Sequence, residues 1–376
     1  MAALFAERHR RLADAMDRSG AWPGRSPWIR EAMDAFPRHL FAPDRLWRPH
    51  GGVFTPVDRE ADAFRWAEAV YPDPETATVT QVVRGREADS LPGQGIVADM
   101  LDALGPKPGQ RVLELGTGTG WNAALLSHRT GPDLVTSVEV DPEPAAAARR
   151  RLAAAGARVA VEVGDGAAGR PGSGPYDAVI ATYAVDRIPW AWVAQTRPGG
   201  RIVTPWGRLG HVALTVAPDG RSAGGWVRGL ARFPAARGAR TGLEDFARVR
   251  GAGPAVGERP WGRDPAALRD DRHLRFALRV ALPDVRIAVL ADADGPAARL
   301  HDGRSSWAAL SARSGRPVTA LQGGPRRLAD ELEQAWDGWL EAGSPDLYEF
   351  GLTVESAECQ YAWALDQETG PRWLLT

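Results

Sequence analysis

Cysteine and lysine are almost missing from this sequence. Cys359 is the only cysteine, which excludes an intramolecular disulfide and a zinc cluster held by several thiolates, so no metal site is expected. Lys107 is the only lysine among 46 Lys and Arg side chains. That skew, beside abundant Ala, Gly and Pro, points to a GC-rich coding genome rather than to a function. Neither sign of charge dominates. The formal net charge is −1, so no global basic field points to nucleic acid or to a membrane surface. No apolar run approaches the roughly 20 residues that span a bilayer. The N-terminal "MAALFAERHRRLADAMDRSG" lacks the continuous apolar core and cleavage site of a signal peptide. Its apolar residues Leu4, Phe5, Leu12 and Met16 recur at helical spacing instead. The expectation is a soluble, cytoplasmic protein. A length of 376 residues suggests two domains, or one large domain with an extension.

What is present falls into blocks. Residues 1–45 carry two amphipathic helical patterns, broken at Pro37 and Pro43. Residues 46–95 read as irregular loops, and a loop region this long is more often functional than idle; 1–95 is therefore expected to hold N-terminal helices and substrate loops. From 96 to 232 short apolar strands alternate with helices: "IVADMLDALG", "RVLELG", "GWNAALLSHRTG", "LVTSVEV", "PEPAAAARRRLAAAG", "RVAVEVGD", "YDAVIATYA", "PWAWVAQT", "GGRIVTPWG" and "HVALTVAP". Such alternation predicts a doubly wound, largely parallel sheet. Residues 233–272 read as a connector. Residues 273–376, with strand-like "RFALRVAL", "VRIAVLAD", "SWAALSA" and "PVTALQGG", the amphipathic "RRLADELEQAWDGWLEAG" and three closing strands, predict a small α+β accessory domain.

The strongest signal is "VLELGTGTGWN", residues 112–122: a strand, an acid, a glycine loop, then a helix. Glycines at 116, 118 and 120 let a ligand approach the backbone, because no Cβ blocks it. The spacing G-x-G-x-G differs from the dinucleotide fingerprint, and Glu114 stands two residues before the first glycine. An anion there repels a pyrophosphate but suits the positive amino-acid end of S-adenosylmethionine. "VEVDP" places Glu139 at the edge of the next strand, where a carboxylate can accept from both ribose hydroxyls. "VGDG" follows, with Asp165 able to accept from an adenine amino group and Gly166 leaving room for the ring; Asp-Gly is also a common turn. The cofactor set expected from these stretches is Glu114, Gly116, Thr117, Gly118, Gly120, Trp121, Asn122, Glu139, Val140, Asp165 and Gly166.

With "PRHLFAPD", "RVLELGTGTGWNAALLS", "VEVDP", "VGDGAAGRPGSGPYDAVIATYAV" and "RPGGRIVTPWG" in view, the chain resembles the protein-L-isoaspartate O-methyltransferases over about residues 25–230. Trp121 stands where that family usually has tyrosine, an aromatic wall in either case. The resemblance implies a class I S-adenosylmethionine-dependent methyltransferase with a Rossmann-like doubly wound sheet. It also implies methyl transfer to a peptide carboxylate, the ester then closing to a succinimide (aspartimide). Residues 47–83 and the stretch "PDLYEFGLTVESAECQYAWALD" further resemble an actinobacterial branch associated with ribosomal peptide natural products. Members of that branch are encoded beside lanthipeptide or ATP-grasp peptide maturases and carry a C-terminal domain. On that branch the substrate is an aspartate in a modified precursor peptide, and a maturase is the partner. The alternatives are an L-isoaspartyl repair enzyme with an appended domain, and a catalytically silent partner that binds cofactor or peptide.

The family's substrate segment falls on "VTQVVRGREADSLPGQG", residues 79–95. Thr80, Gln81, Arg84, Arg86 and Ser90 are its polar candidates, and Tyr183, after the fourth strand, is a further substrate candidate at the rim. In the family a Ser-x-Pro precedes a Val-Ala pair, and the serine is credited with orienting the substrate carboxylate. Here Ser90-Leu91-Pro92 stands two residues too far from Val97-Ala98. Either a bulge at Gly93 and Gly95 returns Ser90 to the site, or its role passes to a neighbour such as Thr80. The plain alternative is that Ser90 caps the helix, with Pro92 in its first turn.

Overall fold

Five apolar segments lie side by side as parallel strands in the computed structural model: Ala160–Val163, Val135–Glu139, Val112–Leu115, Tyr176–Ala181 and Thr196–Trp206. Gly210–Val216 and Ala223–Leu230 extend them antiparallel. All four side chains of Val112–Leu115 are buried, as expected of a central strand covered on both faces. The structure describes residues 1–51, 53–207, 210–230, 246–251, 255–292, 295–311 and 317–375. They form two compact units, Met1–Ala236 with Thr353–Gln360, and Arg237–Leu352 with Tyr361–Thr376. Among the described residues no helix is long and apolar enough to cross a membrane.

In the first unit, strand Val112–Leu115 sits where the strand order reverses, flanked by Val135–Glu139 on one side and Tyr176–Ala181 on the other. Ligands of such sheets bind beyond the strand C-termini at this point. The N-terminal residues are not a domain of their own. Phe5, Met16, Trp28, Trp66, Leu101, Trp121 and Val203 belong to one continuous core, so the helices Ala2–Ser19 and Trp28–Ala35 pack into the same interior as the sheet.

Residues 46–95 are not irregular. They hold an antiparallel sheet in the order Val53–Asp58, Arg45–His50, Thr78–Val83, Arg86–Leu91, with helix Ala63–Val70 between. In strand Arg45–His50 only Leu46 is buried. A sheet that buries so few side chains leaves little apolar alternation to read.

The second unit has a five-stranded sheet, ordered Gly257–Pro260, Thr319–Gly323, Trp307–Ser311, Gly295–His301, Arg286–Asp292, every pairing antiparallel. Trp261, Leu274, Leu278, Leu300, Leu328, Leu332 and Trp336 form its core. Strand Gly257–Pro260 assigns part of the expected connector to this sheet; residues 233–245 and 252–254 of that connector lie outside the described residues. "RFALRVAL" is helical rather than extended, within Arg272–Ala281. Phe276, Leu278 and Val280 mimic a strand's alternation, but Leu274, Ala277 and Leu278 also share a helix face. The Asp271 side chain accepts from the His273 and Leu274 N–H groups at 2.8 and 3.0 Å, an N-cap that favours the helix.

The segment Thr353–Gln360 returns to the first unit. Gln360 accepts from the Ile188 N–H at 2.9 Å and donates to the Ile188 carbonyl at 2.7 Å, while Arg187 donates to the carbonyls of Ala357 and Glu358.

Candidate active site

Glu114 lies near the C-terminal end of the central strand with no exposed surface. Asn122 donates to one of its oxygens at 2.8 Å and Ser137 to the other. Ser137 also meets Thr117, Oγ to Oγ1 at 2.6 Å. Burial pushes the Glu114 carboxyl up to about 7; the two hydrogen bonds oppose this and the neighbouring Glu139 charge adds to it. A buried carboxylate without a cation beside it is costly, so this acid is poised to receive a positive group.

The loop after it turns through Gly116, Gly118 and Gly120 at φ 91°, 53° and 90°, a region that disfavours side chains. At Gly116 a Cβ would also stand 2.5 Å from Thr182 Oγ1 and 3.0 Å from the Tyr183 ring. Glu139 accepts the Gly118 N–H at 3.0 Å and, more weakly, the Asp141 N–H at 3.3 Å, which leaves further lone pairs on both oxygens. Asp165 caps a short 3₁₀ turn through the Ala167 N–H at 2.9 Å. The carbonyl of Gly166 accepts from the buried Trp192 indole at 2.8 Å. Val140 is half exposed at the strand end.

Two expected positions need correction. Trp121 is not an aromatic wall open to a ligand. It is buried, its indole donates to the Phe36 carbonyl at 2.8 Å, and the Arg38 guanidinium carbon lies 4.9 Å over its ring. Tyr183 packs inward beside Gly166 rather than standing free at a rim: its hydroxyl fills the place of a Gly166 Cβ, and its ring packs edge-on against Trp192. Burial, with the charges of Asp165 and Glu139, raises its pKa.

The segment expected to meet substrate opens as a β-hairpin turning at Arg84-Gly85, both at positive φ (51° and 73°), as two-residue hairpins require. Gln81, Arg84 and Arg86 are exposed along it, and the structure does not gather them. Ser90 is not a helix cap. It is a strand residue opposite Val79, and the N-cap of helix Gln94–Leu104 is Gly93. The irregularity lies in the partner strand, where the register shifts between Val79 and Gln81. Thr80 falls there, and its buried hydroxyl has no hydrogen-bond partner among the described residues. Gly93 and Gly95 serve another purpose: a Cβ on Gly93 would meet the Glu75 carbonyl oxygen at 2.7 Å, and one on Gly95 the Glu75 carboxylate at 2.8 Å. Gly93→Ala is expected to cost about 2 kcal/mol of stability, because backbone cannot yield as a side chain can; a shift of the urea midpoint measures it.

Arg38 was not visible as a site residue. It is almost wholly buried. It donates from Nε to Val70 O at 3.0 Å, from Nη1 to Pro92 O at 2.5 Å, and from Nη2 to Thr78 Oγ1 at 3.3 Å and Leu91 O at 3.5 Å. It thus ties the end of this hairpin to Trp121, the residue after the glycine loop. Its position between Pro37 and His39 carries no local sign of burial; Ser137 and Gln94 were missed for the same reason.

The family model for protein-L-isoaspartate(D-aspartate) O-methyltransferase (PCMT) matches residues 52–219. A protein-L-isoaspartate O-methyltransferase of Pyrococcus abyssi is 35% identical over 202 residues, covering 54% of this chain and 80% of that protein. The chain belongs to the protein-L-isoaspartate O-methyltransferase family. Relatives of the same name from Hyperthermus butylicus (34% over 224 residues, 56% of this chain and 81% of that protein) and Methylorubrum extorquens (38% over 186 residues, 50% and 69%) agree. A solved protein-L-isoaspartate O-methyltransferase has a similar fold, with TM-score 0.54 over 95% of this chain and 99% of that one, at 21% identity. The chain is a class I, S-adenosylmethionine-dependent protein carboxyl methyltransferase. The residues present fit this cofactor: Glu114 is a buried acid with no cation beside it among the described residues, and Gly116, Gly118 and Gly120 all hold positive-φ conformations that keep their backbone bare of side chains.

Proposed function

We propose that this enzyme methylates the free carboxylate of L-isoaspartyl residues in peptides or proteins. The observation that carries the reading is the uncompensated buried Glu114 beneath the glycine loop, in a chain of this family. Glu114 and Asn122 would hold the amino-acid end of S-adenosylmethionine, Glu139 the ribose, and Asp165, Gly166 and Tyr183 the adenine side. When bound, the sulfonium supplies an electrophilic methyl group.

The acceptor needs no general base. A carboxylate with an ordinary pKa near 3.9 is ionised at pH 7. The protein's task is to hold one oxygen in line and to exclude water. Hydroxyls at Thr80 and Ser90, on neighbouring strands, would orient the carboxylate without pairing it with a full positive charge, which would weaken it as a nucleophile. The methyl ester then loses methanol as the adjacent backbone nitrogen attacks, closing a succinimide.

The second unit does not by itself argue for peptide biosynthesis, since a solved protein-L-isoaspartate O-methyltransferase matches 95% of this chain. The narrower reading, methylation of an ordinary aspartate in a precursor peptide beside a maturase, rests on the resemblance of residues 47–83 and 345–366 alone. A pair of hexapeptides differing only in isoaspartyl or aspartyl linkage tests both. Methyl transfer to the isoaspartyl peptide alone is expected, followed by methanol release. Transfer only to the aspartyl form would transfer the case to the narrower reading. No heat of S-adenosylhomocysteine binding would leave the silent partner.

A further inference from the structure

Gln94 opens the helix Gln94–Leu104 and is 1% exposed, yet among the described residues neither its Nε2 nor its Oε1 has a hydrogen-bond partner. A primary amide brings two donors and an acceptor. Buried and unpaired, it forfeits its hydration and gains nothing within the chain. An apolar side chain of the same length would fill the space at lower cost. The group is also held in place. The Gly95 N–H donates to the Pro74 carbonyl at 2.8 Å, Gly93 is closed against Pro74 and Glu75, and Arg38 grips the Pro92 carbonyl two residues earlier at 2.5 Å. The same guanidinium stacks over Trp121, so the start of this helix is one side chain away from the glycine loop. Thr80, with its own unpartnered hydroxyl, lies in the strand paired to the segment that leads into it.

We propose that Gln94 is a substrate ligand that pairs with a peptide group beside the methyl-accepting carboxylate. This rests on the isoaspartyl reading above. An isoaspartyl linkage carries a peptide C=O and N–H out along the former side chain, close to the free carboxylate. The Gln94 amide offers what that group lacks: Nε2–H for the carbonyl and Oε1 for the N–H. Being neutral, it recognises the linkage without drawing charge from the attacking oxygen, as an arginine would.

Gln94→Met keeps the length and removes both polar ends. The expected result is a KM for the isoaspartyl hexapeptide raised at least tenfold, S-adenosylhomocysteine affinity within twofold of the original, and a melting temperature unchanged or raised. Gln94→Glu, which sets a charge near the acceptor carboxylate, is expected to lose more activity than Gln94→Met. An unchanged KM in Gln94→Met overturns the proposal. A lowered melting temperature overturns it too, because the amide would then have a structural partner. The unsubstituted enzyme tests the isoaspartyl reading separately. Should it fail to methylate that peptide, the melting temperature of Gln94→Met still decides: a fall counts against a reserved amide, a rise for one.

Discussion

Arg38→Met is expected to lower the melting temperature by about 10 °C and to cut methyl transfer roughly 100-fold even at temperatures where the variant is folded. The two effects have separate origins. Burial already lowers the Arg38 pKa to about 10, with the nearby Tyr71 opposing that fall, so removing the cation relieves a desolvation cost. It also leaves the carbonyls of Val70, Leu91 and Pro92 without their donor, at about 1–3 kcal/mol each. The second term is larger, for a net loss of about 3 kcal/mol. Activity falls because Pro92 and Trp121 are no longer tied together, and a displacement of about 1 Å in a positioning element costs about that much rate. Calorimetric melting with single-turnover assays at 20 °C below the variant's midpoint separates them. A full rate in the folded variant would reduce Arg38 to a stabilising residue.

The second large effect concerns Glu114 and pH. Its carboxyl is pushed up to about 7 in the folded chain, against an ordinary 4.5. Between these values the folded protein keeps a proton that the unfolded chain has released. Stability therefore falls as pH rises through that window, by about 1.4 kcal/mol per unit and about 3 kcal/mol in all. The cofactor's ammonium group favours the ionised form, so binding below pH 7 expels the proton. Affinity for S-adenosylhomocysteine is expected to rise about tenfold per pH unit up to near 7 and to level off above it. Glu114→Gln abolishes this slope, weakens binding at pH 8 by roughly 100-fold, about 2.7 kcal/mol, and melts higher than the parent there. Titration calorimetry between pH 5.5 and 8.5 measures all but the last, and a flat profile in the parent would refute the role given to Glu114.

The glycine loop and its acids were legible because their meaning is local: Gly116, Gly118 and Gly120 are forced by φ, and Glu114 and Glu139 follow from strand ends. The parallel sheet was legible because its central strands, Val112–Leu115 and Tyr176–Ala181, are mostly apolar and buried on both faces. What escaped depends on contacts between distant parts of the chain. Leu46 alone anchors its strand, so no alternation announces the sheet of residues 45–91. Helix Arg272–Ala281 carries both periods, and Asp271 decides between them. Arg38, Gln94 and Ser137 are polar, and polarity predicts exposure until tertiary packing overrules it. Trp121 was expected at the ligand and faces inward, because a neighbouring carbonyl claims its indole.

The excursion of the chain between residues 237 and 352 sets an order of assembly. Synthesis runs from the N-terminus, so the sheet, glycine loop and hairpin emerge from the ribosome first. Yet Ile188 waits for Gln360, which emerges only after the whole second unit has been made. A stop codon after residue 236 would leave the Ile188 N–H and carbonyl, between strand Tyr176–Ala181 and helix Trp190–Ala194, without the Gln360 side chain that pairs both. Shortening this enzyme to its methyl-transfer half therefore calls for a bridging linker that restores residues 353–360, rather than for simple truncation.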